Sequence, residues 1–247
     1  MTTLEELIIP AHGGAPATPA VAIVPEGARR GVVVIHEIFG RQPEIDRVVE
    51  RFAAAGYAAI APDLFRRGFF VCLRDVFRAM KTGDGVAVQQ GKNARAWLCA
   101  KARIDLSCVG LIGFCFGGGY ALAAGSGWGA VSANYAQVPS EMALRGCGPV
   151  IACYGARDKT LRHAPSELRA RLKASGQSDF EVHEFDAGHS FITDGKKRLA
   201  HRLQPMGFDN YPVAREEAWR RIFAFFDDRL GHNPSEAARP GRSDPSY

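Results

Sequence analysis

The stretch Val109-Gly110-Leu111-Ile112-Gly113-Phe114-Cys115-Phe116-Gly117-Gly118-Gly119 sets a cysteine between an apolar run and a helix-like segment, in the pattern G-x-C-x-G. Strand, tight turn and helix in that order form a nucleophile elbow, here with cysteine in place of serine. Such a turn needs Gly113 and Gly117, because without Cβ atoms the strand and helix can approach closely around it. It also brings Cys115 to the start of the new helix, where the helix dipole favours a thiolate. The backbone N–H of Phe116 is then aimed at a reacting carbonyl oxygen as one oxyanion donor. A lone cysteine in a glycine-rich turn is more often buried and inert. The elbow context and the residues downstream of it distinguish this one.

Pro149 to Tyr154 reads as a late strand followed by Gly155-Ala156-Arg157-Asp158, which places Asp158 where a triad acid belongs; an aspartate there also suits a turn or a cap. Phe180 to Phe185 reads as the last strand, and Asp186-Ala187-Gly188-His189-Ser190-Phe191 after it offers His189 as the general base. The other histidines, His12, His163, His183, His201 and His232, lack such a setting. Cys115, Asp158, His189 is the nucleophile, acid, base order of α/β-hydrolases. In that arrangement Asp158 orients the imidazole, and His189 exchanges protons with nucleophile and leaving group.

The first apolar run ends in His36-Glu37-Ile38-Phe39-Gly40. The loop there supplies the second oxyanion N–H, expected from Ile38. A carboxylate at Glu37 lies close to the nucleophile and disfavours a static thiolate. Its expected part is to hold the thiol proton at rest and accept it when substrate arrives; the alternative is an ordinary loop glutamate. His36 is expected to be structural.

These residues need a scaffold of alternating strands and helices. Gly31 to His36, Tyr57 to Ala61, Val109 to Gly113, Ala130 to Tyr135, Pro149 to Tyr154 and Phe180 to Phe185 read as strands, the first a β-branched run suited to a buried parallel strand. Between them Glu44 to Ala55, Val71 to Lys81, Val86 to Lys101, Phe116 to Ala124 and Ala164 to Ser175 read as helices. In the Val71 to Lys81 helix, Leu73, Val76, Phe77 and Met80 are expected inward. A last helix from Val213 to Leu230 carries Trp219, Ile222, Phe223 and Phe226 on its inward stripe. Repeated βα units predict an α/β-hydrolase fold: a mostly parallel central sheet with helices on both faces. Residues 1–230 read as one domain without internal repeats. The polar, Pro- and Ser-containing residues 231–247 read as a disordered tail.

The chain has 247 residues, 47% of them hydrophobic and 23% charged, which is long enough for a large core without disulfide or metal. A net charge of +5 comes from scattered Lys and Arg residues with no basic stripe or recognition motif, which argues against a nucleic-acid partner. The N-terminal residues MTTLEELIIP do not read as a signal peptide, and no segment is apolar enough to span a bilayer. Six cysteines without a CxxC pair are expected to be reduced thiols in a cytoplasmic protein, with no metal site and no cofactor. The expected partner is a small-molecule lactone or ester.

Taken together, His36-Glu37-Ile38-Phe39-Gly40, Gly56-Tyr57 with Pro62-Asp63-Leu64-Phe65, Gly113-Phe114-Cys115-Phe116-Gly117-Gly118, Asp158 and Gly188-His189-Ser190-Phe191 make the sequence resemble the dienelactone hydrolase (carboxymethylenebutenolidase) family over roughly residues 30 to 230. The resemblance implies metal-free hydrolysis of an enol-lactone by a Cys-His-Asp triad. It also implies that Glu37 pairs with the thiol and deprotonates it when an anionic substrate binds. The oxyanion is then held by the N–H groups of Ile38 and Phe116. The family carries an arginine a few residues after the catalytic histidine to hold a substrate carboxylate; Thr193 stands there in this chain. The segment between Pro62 and Cys115 is also shorter. Arg74, Arg78 and Lys81, spaced i, i+4, i+7, are the replacement candidates for anion binding, the alternative being a solvated helix face. Weaker dependence on a substrate carboxylate follows. A broader carboxylesterase or thioesterase, or a non-catalytic binding protein on the same fold, are the competing readings.

Overall fold

The computed structural model describes residues 3–65, 68–193 and 210–231. In chain order its strands and helices are β1 (Glu5–Ile9), β2 (Thr18–Ile23), β3 (Gly31–Ile35), α1 (Pro43–Ala54), β4 (Ala58–Pro62), α2 (Phe69–Thr82), α3 (Val86–Ala102), β5 (Val109–Phe114), α4 (Phe116–Ala124), β6 (Ala130–Asn134), α5 (Glu141–Leu144), β7 (Val150–Gly155), α6 (Ala164–Ala174), β8 (Phe180–Phe185) and α7 (Pro212–Arg229). The strands form one eight-stranded sheet in the order β1-β2-β4-β3-β5-β6-β7-β8. From β4 to β8 every neighbouring pair is parallel. This is the α/β-hydrolase fold expected from the alternating elements.

The middle strands of the sheet suit parallel pairing because they are buried throughout and mostly apolar. All residues of β3, β4, β5, β6 and β7 are buried, which requires helices on both faces. Alternate residues face opposite ways. Val33 and Ile35 join Val76, Leu98, Leu122 and Leu168 on one side. Val32 and Val34 join Phe52, Trp219, Ile222 and Phe226 on the other. Thus α1 and α7 cover one face and α2 to α6 the other.

Two strands escape the βα pattern. β1 and β2 pair antiparallel, with Glu5 opposite Ala22 and Ile9 opposite Thr18, and β2 then pairs antiparallel with β4. Pro19 and two alanines obscure β2 in sequence, and β1 has the polar, exposed residues of an edge. A second difference is the rotation of α2. Its buried residues are Cys72, Val76, Ala79 and Met80; Phe77 is 44% exposed and Leu73 only half-buried. Val76 and Met80 lie inward as expected, Met80 against α4, where a Cβ on Gly119 would lie 2.8 Å from its Cε; the small Cys72 and Ala79 fill the rest of the buried face in place of Leu73 and Phe77. On α7, Phe225 is buried where Phe223 was expected, and Phe223 packs half-buried against Phe52 at 5.0 Å between ring centroids.

Residues 232–247, which hold most of the expected tail and His232, lie outside the described residues, as does His201. Among the described residues no helix is long and apolar enough to cross a membrane.

Candidate active site

The parallel strands point their carboxyl ends the same way, and the loops leaving β3, β5, β6, β7 and β8 carry Glu37, Cys115, Tyr135, Asp158 and His189. After β3 the chain adds β4 on one side, then returns to place β5 on the other. Ligand crevices form outside the strand ends at such a reversal.

Cys115 sits at φ 54° and ψ −115°, a conformation that non-glycine residues rarely adopt. Neighbours hold it there. Its N–H donates to the Asn134 carbonyl at 2.9 Å, and its carbonyl accepts from the N–H groups of Gly118 and Gly119 at 3.0 and 3.2 Å. A Cβ on Gly113 would overlap the Gly117 carbonyl, and one on Gly117 would overlap the His36 carbonyl and lie 2.7 Å from the Ile35 oxygen. All these partners are backbone atoms, which cannot swing aside. Gly117→Ala is therefore expected to destabilise the fold by about 2 kcal/mol or more, read as a lowered urea midpoint.

His189 is buried and its Nδ1 lies 2.6 Å from Asp158 Oδ2. Asp158 is itself buried, and its Oδ1 accepts from the Thr160 N–H at 2.9 Å and the Thr160 hydroxyl at 2.5 Å. Burial alone would raise the Asp158 pKa, but the bonds from His189 and Thr160 outweigh it and hold it below the ordinary carboxylate range. Burial likewise works against a charged His189. Hydrogen bonds to Asp158 and to Cys115 prevail and raise its pKa to about 9. The imidazole is thus fixed by the carboxylate, with Cys115 near enough to act on its charge.

Glu37 follows β3 and is half-buried. Its Oε1 lies 3.3 Å from the Tyr135 hydroxyl, 3.2 Å from that of Ser190 and 3.3 Å from that of Thr193, while the Tyr135 and Thr193 hydroxyls are 3.1 Å apart. Burial first, and the charge of Glu37 second, push the Tyr135 phenol well above its ordinary range, so it remains a donor. Its ring stands 5.0 Å from that of His189. His36 has the structural part expected of it. Its Nδ1 lies 2.7 Å from the Glu37 carbonyl and its Nε2 accepts from the Leu64 N–H at 3.0 Å, which ties the Glu37 loop to the end of β4. Burial holds its pKa below the ordinary value, in keeping with a neutral ring.

The sequence model of the dienelactone hydrolase family matches residues 18–230. The chain belongs to the dienelactone hydrolase family. It is accordingly a hydrolase of ester or lactone bonds. A carboxymethylenebutenolidase of Rhodococcus opacus is 28% identical over 225 residues, which cover 83% of each chain. Among solved structures, a dienelactone hydrolase-like promiscuous phosphotriesterase from metagenomic libraries superposes with a TM-score of 0.73 at 24% identity, covering 93% of this chain and 99% of the other. An esterase of Pyrococcus furiosus superposes with a TM-score of 0.64 at 15% identity, covering 93% and 94%. These likenesses show the α/β-hydrolase fold.

In this dienelactone hydrolase-family chain Cys115, His189, Asp158 and Glu37 meet at one end of the sheet. Phe116 opens α4, so its N–H belongs to the first turn, where helical carbonyls supply no acceptor. Ile38 follows Glu37 in the turn closed by the Gly40 N–H on the Glu37 carbonyl at 3.1 Å. Arg74 and Arg78 lie on the exposed side of α2; Arg74 is 80% exposed and 3.9 Å from Asp75. Tyr135, Ser190 and Thr160 were not singled out from the sequence as partners of these groups. Tyr135 offered one signal, its place at the carboxyl end of a predicted strand beside the elbow. Among the described residues no group of three or more His, Cys, Asp or Glu side chains is placed to hold a metal ion.

Proposed function

We propose that this protein cleaves a lactone or small ester through a thioester on Cys115. The observation that carries this reading is a buried His189 held by the Asp158 carboxylate at 2.6 Å, at the same end of the sheet as the strained elbow of Cys115. The bond to Asp158 favours the charged imidazole, which suits His189 to give a proton to a leaving group. Glu37 is the base of choice for the thiol, and His189 the acid for the step after it.

The sequence of steps balances. The thiol proton of Cys115 passes to Glu37 and the thiolate attacks the substrate carbonyl. The N–H groups of Ile38 and Phe116 hold the oxyanion. When the tetrahedral species collapses, the C–O bond breaks, the S–C bond stays, and the leaving oxygen takes the proton of the His189 imidazolium. Neutral His189 then removes a proton from water as the hydroxide attacks the thioester. The acid departs, and the thiolate recovers its proton from Glu37. An enol-lactone fits this scheme well, because its enolate is a good leaving group, and a relative carries the name carboxymethylenebutenolidase.

Quenched-flow mass spectrometry with p-nitrophenyl acetate tests the reading. The expected result is one acetyl group on the peptide containing Cys115 before steady state. Glu37→Gln is expected to slow that acylation by ~10²-fold at nearly unchanged thermal midpoint. Turnover without an adduct, or an adduct elsewhere, overturns the thioester. An unchanged acylation rate in Glu37→Gln reduces Glu37 to loop structure.

A further inference from the structure

Beside the nucleophile the molecule exposes rings instead of charges. Phe116, next to Cys115 in sequence, is buried between Phe65 and Phe77, with ring centroids 5.8 and 5.7 Å away. Phe65 in turn meets His36, at the head of the Glu37 loop, at 4.9 Å, and Phe69 at 5.6 Å. Aromatic side chains therefore run without a break from the oxyanion loop, past the elbow, to α2. Of the nine large hydrophobic side chains exposed among the described residues, five are Phe39, Phe69, Phe70, Val71 and Phe77. Such a concentration beside a reacting group marks a binding surface.

The helix geometry decides which row of α2 belongs to that surface. Phe69, Leu73 and Phe77 are spaced i, i+4, i+8, so they form one row that drifts by about 40° per step. That row borders the buried face, and both its phenylalanines touch the ring cluster. Arg74 and Arg78 stand one residue further round, roughly 100° away, on the solvent side.

We infer that Phe69 and Phe77, backed by Phe65 and Phe116, form the specificity wall of this site and receive the aryl group of an aryl-bearing ester or lactone. The inference rests on Cys115 being the nucleophile. A flat ring entering this cluster finds edge-to-face partners with little loss of side-chain freedom, since phenylalanine has only two rotatable bonds. Nothing in the row can pair with a carboxylate. Selection at this wall is by shape and apolar contact.

The test measures kcat/KM for ethyl acetate and ethyl phenylacetate, with the rate of Cys115 alkylation by iodoacetamide measured alongside. Phe69→Ala and Phe77→Ala are expected to lower the preference for the phenylacetate ester about tenfold, chiefly through KM. Ethyl acetate turnover and alkylation stay within about twofold, because both side chains are partly exposed and support no other step. Phe77→Leu, which keeps apolar bulk but not the ring, restores only part of the preference. Arg74→Ala and Arg78→Ala leave it unchanged. If both phenylalanine variants change the two esters alike, or neither, while Cys115 still acylates, the wall is not there. A concentration-dependent dimer lost in Phe77→Ala without a change in ester preference gives the surface to a second copy of the chain and overturns the inference. Failure of Cys115 to acylate at all removes the underlying reading as well.

Discussion

Cys115→Ala is expected to lower kcat/KM by on the order of 10⁴-fold or more, with the fold intact. Alanine keeps the backbone of the elbow, whose strain is held by Asn134, Gly118 and Gly119 and not by the thiol. What disappears is the atom proposed to attack. The same argument predicts that one equivalent of iodoacetamide inactivates the enzyme. Cys72, Cys108, Cys147 and Cys153 are buried. Burial pushes the thiols of Cys147, to about 12, and of Cys153 away from thiolate, and that of half-buried Cys99 rises for the same cause. Cys115 alone combines partial exposure with a helix start and a histidine partner. Activity after complete alkylation of Cys115 is the result that defeats this assignment; a chelator is expected to change nothing.

His189→Ala and Asp158→Asn should each cost at least ~10²-fold in kcat/KM, and the double variant scarcely more than the worse single one. The proposal makes the two side chains one unit: Asp158, fastened by Thr160, holds the ring through a 2.6 Å bond that favours its charged form. Losses that multiply in the double variant would mean that the residues work separately. The charge also has a signature in pH. A histidine whose pKa rises on folding, from 6.5 to about 9, adds stability that is complete below 6.5 and is lost as pH climbs through about 9. The thermal midpoint of the wild type should therefore fall toward that of His189→Ala as pH rises from 6 to 10. The kcat/KM of the wild type should decline above about pH 9, where the leaving group loses its proton donor. A midpoint difference that stays constant over this range would show that His189 is neutral throughout.

The reach of the Glu37 hydroxyl cluster bears on the choice of substrate. Thr193 stands where the family places an arginine for a carboxylate, and in this chain its hydroxyl is turned to Glu37 at 3.3 Å. A hydroxyl cannot form the bidentate, charge-assisted bond that a guanidinium makes. The expected weak dependence on a substrate carboxylate and the aromatic row on α2 point the same way.

Much of this site is legible in the order of residues. The elbow is a local object: Gly113, Cys115 and Gly117 meet a backbone requirement that any chain making this turn must meet, and it shows in five consecutive residues. The buried parallel strands are equally local, since burial on both faces leaves unbroken runs such as Val32-Val33-Val34-Ile35. Chain order singled out Asp158 and His189 because each follows a late strand, and the fold joins the two by a 2.6 Å bond. Contacts between distant segments were decided only when the sheet closed. Tyr135 and Thr193, 98 and 156 residues from Glu37, carry no mark in sequence of the carboxylate they approach. β1 was missed because an exposed edge needs little hydrophobicity, and β2 because Pro19 and its alanines hide a buried strand. On α2, apolar and basic residues share several faces, so periodicity alone left its rotation open between Phe77 inward and Phe77 outward. Only packing in the folded chain decided it, by burying the small Cys72 and Ala79 beside Val76 and Met80 and leaving Phe77 44% exposed.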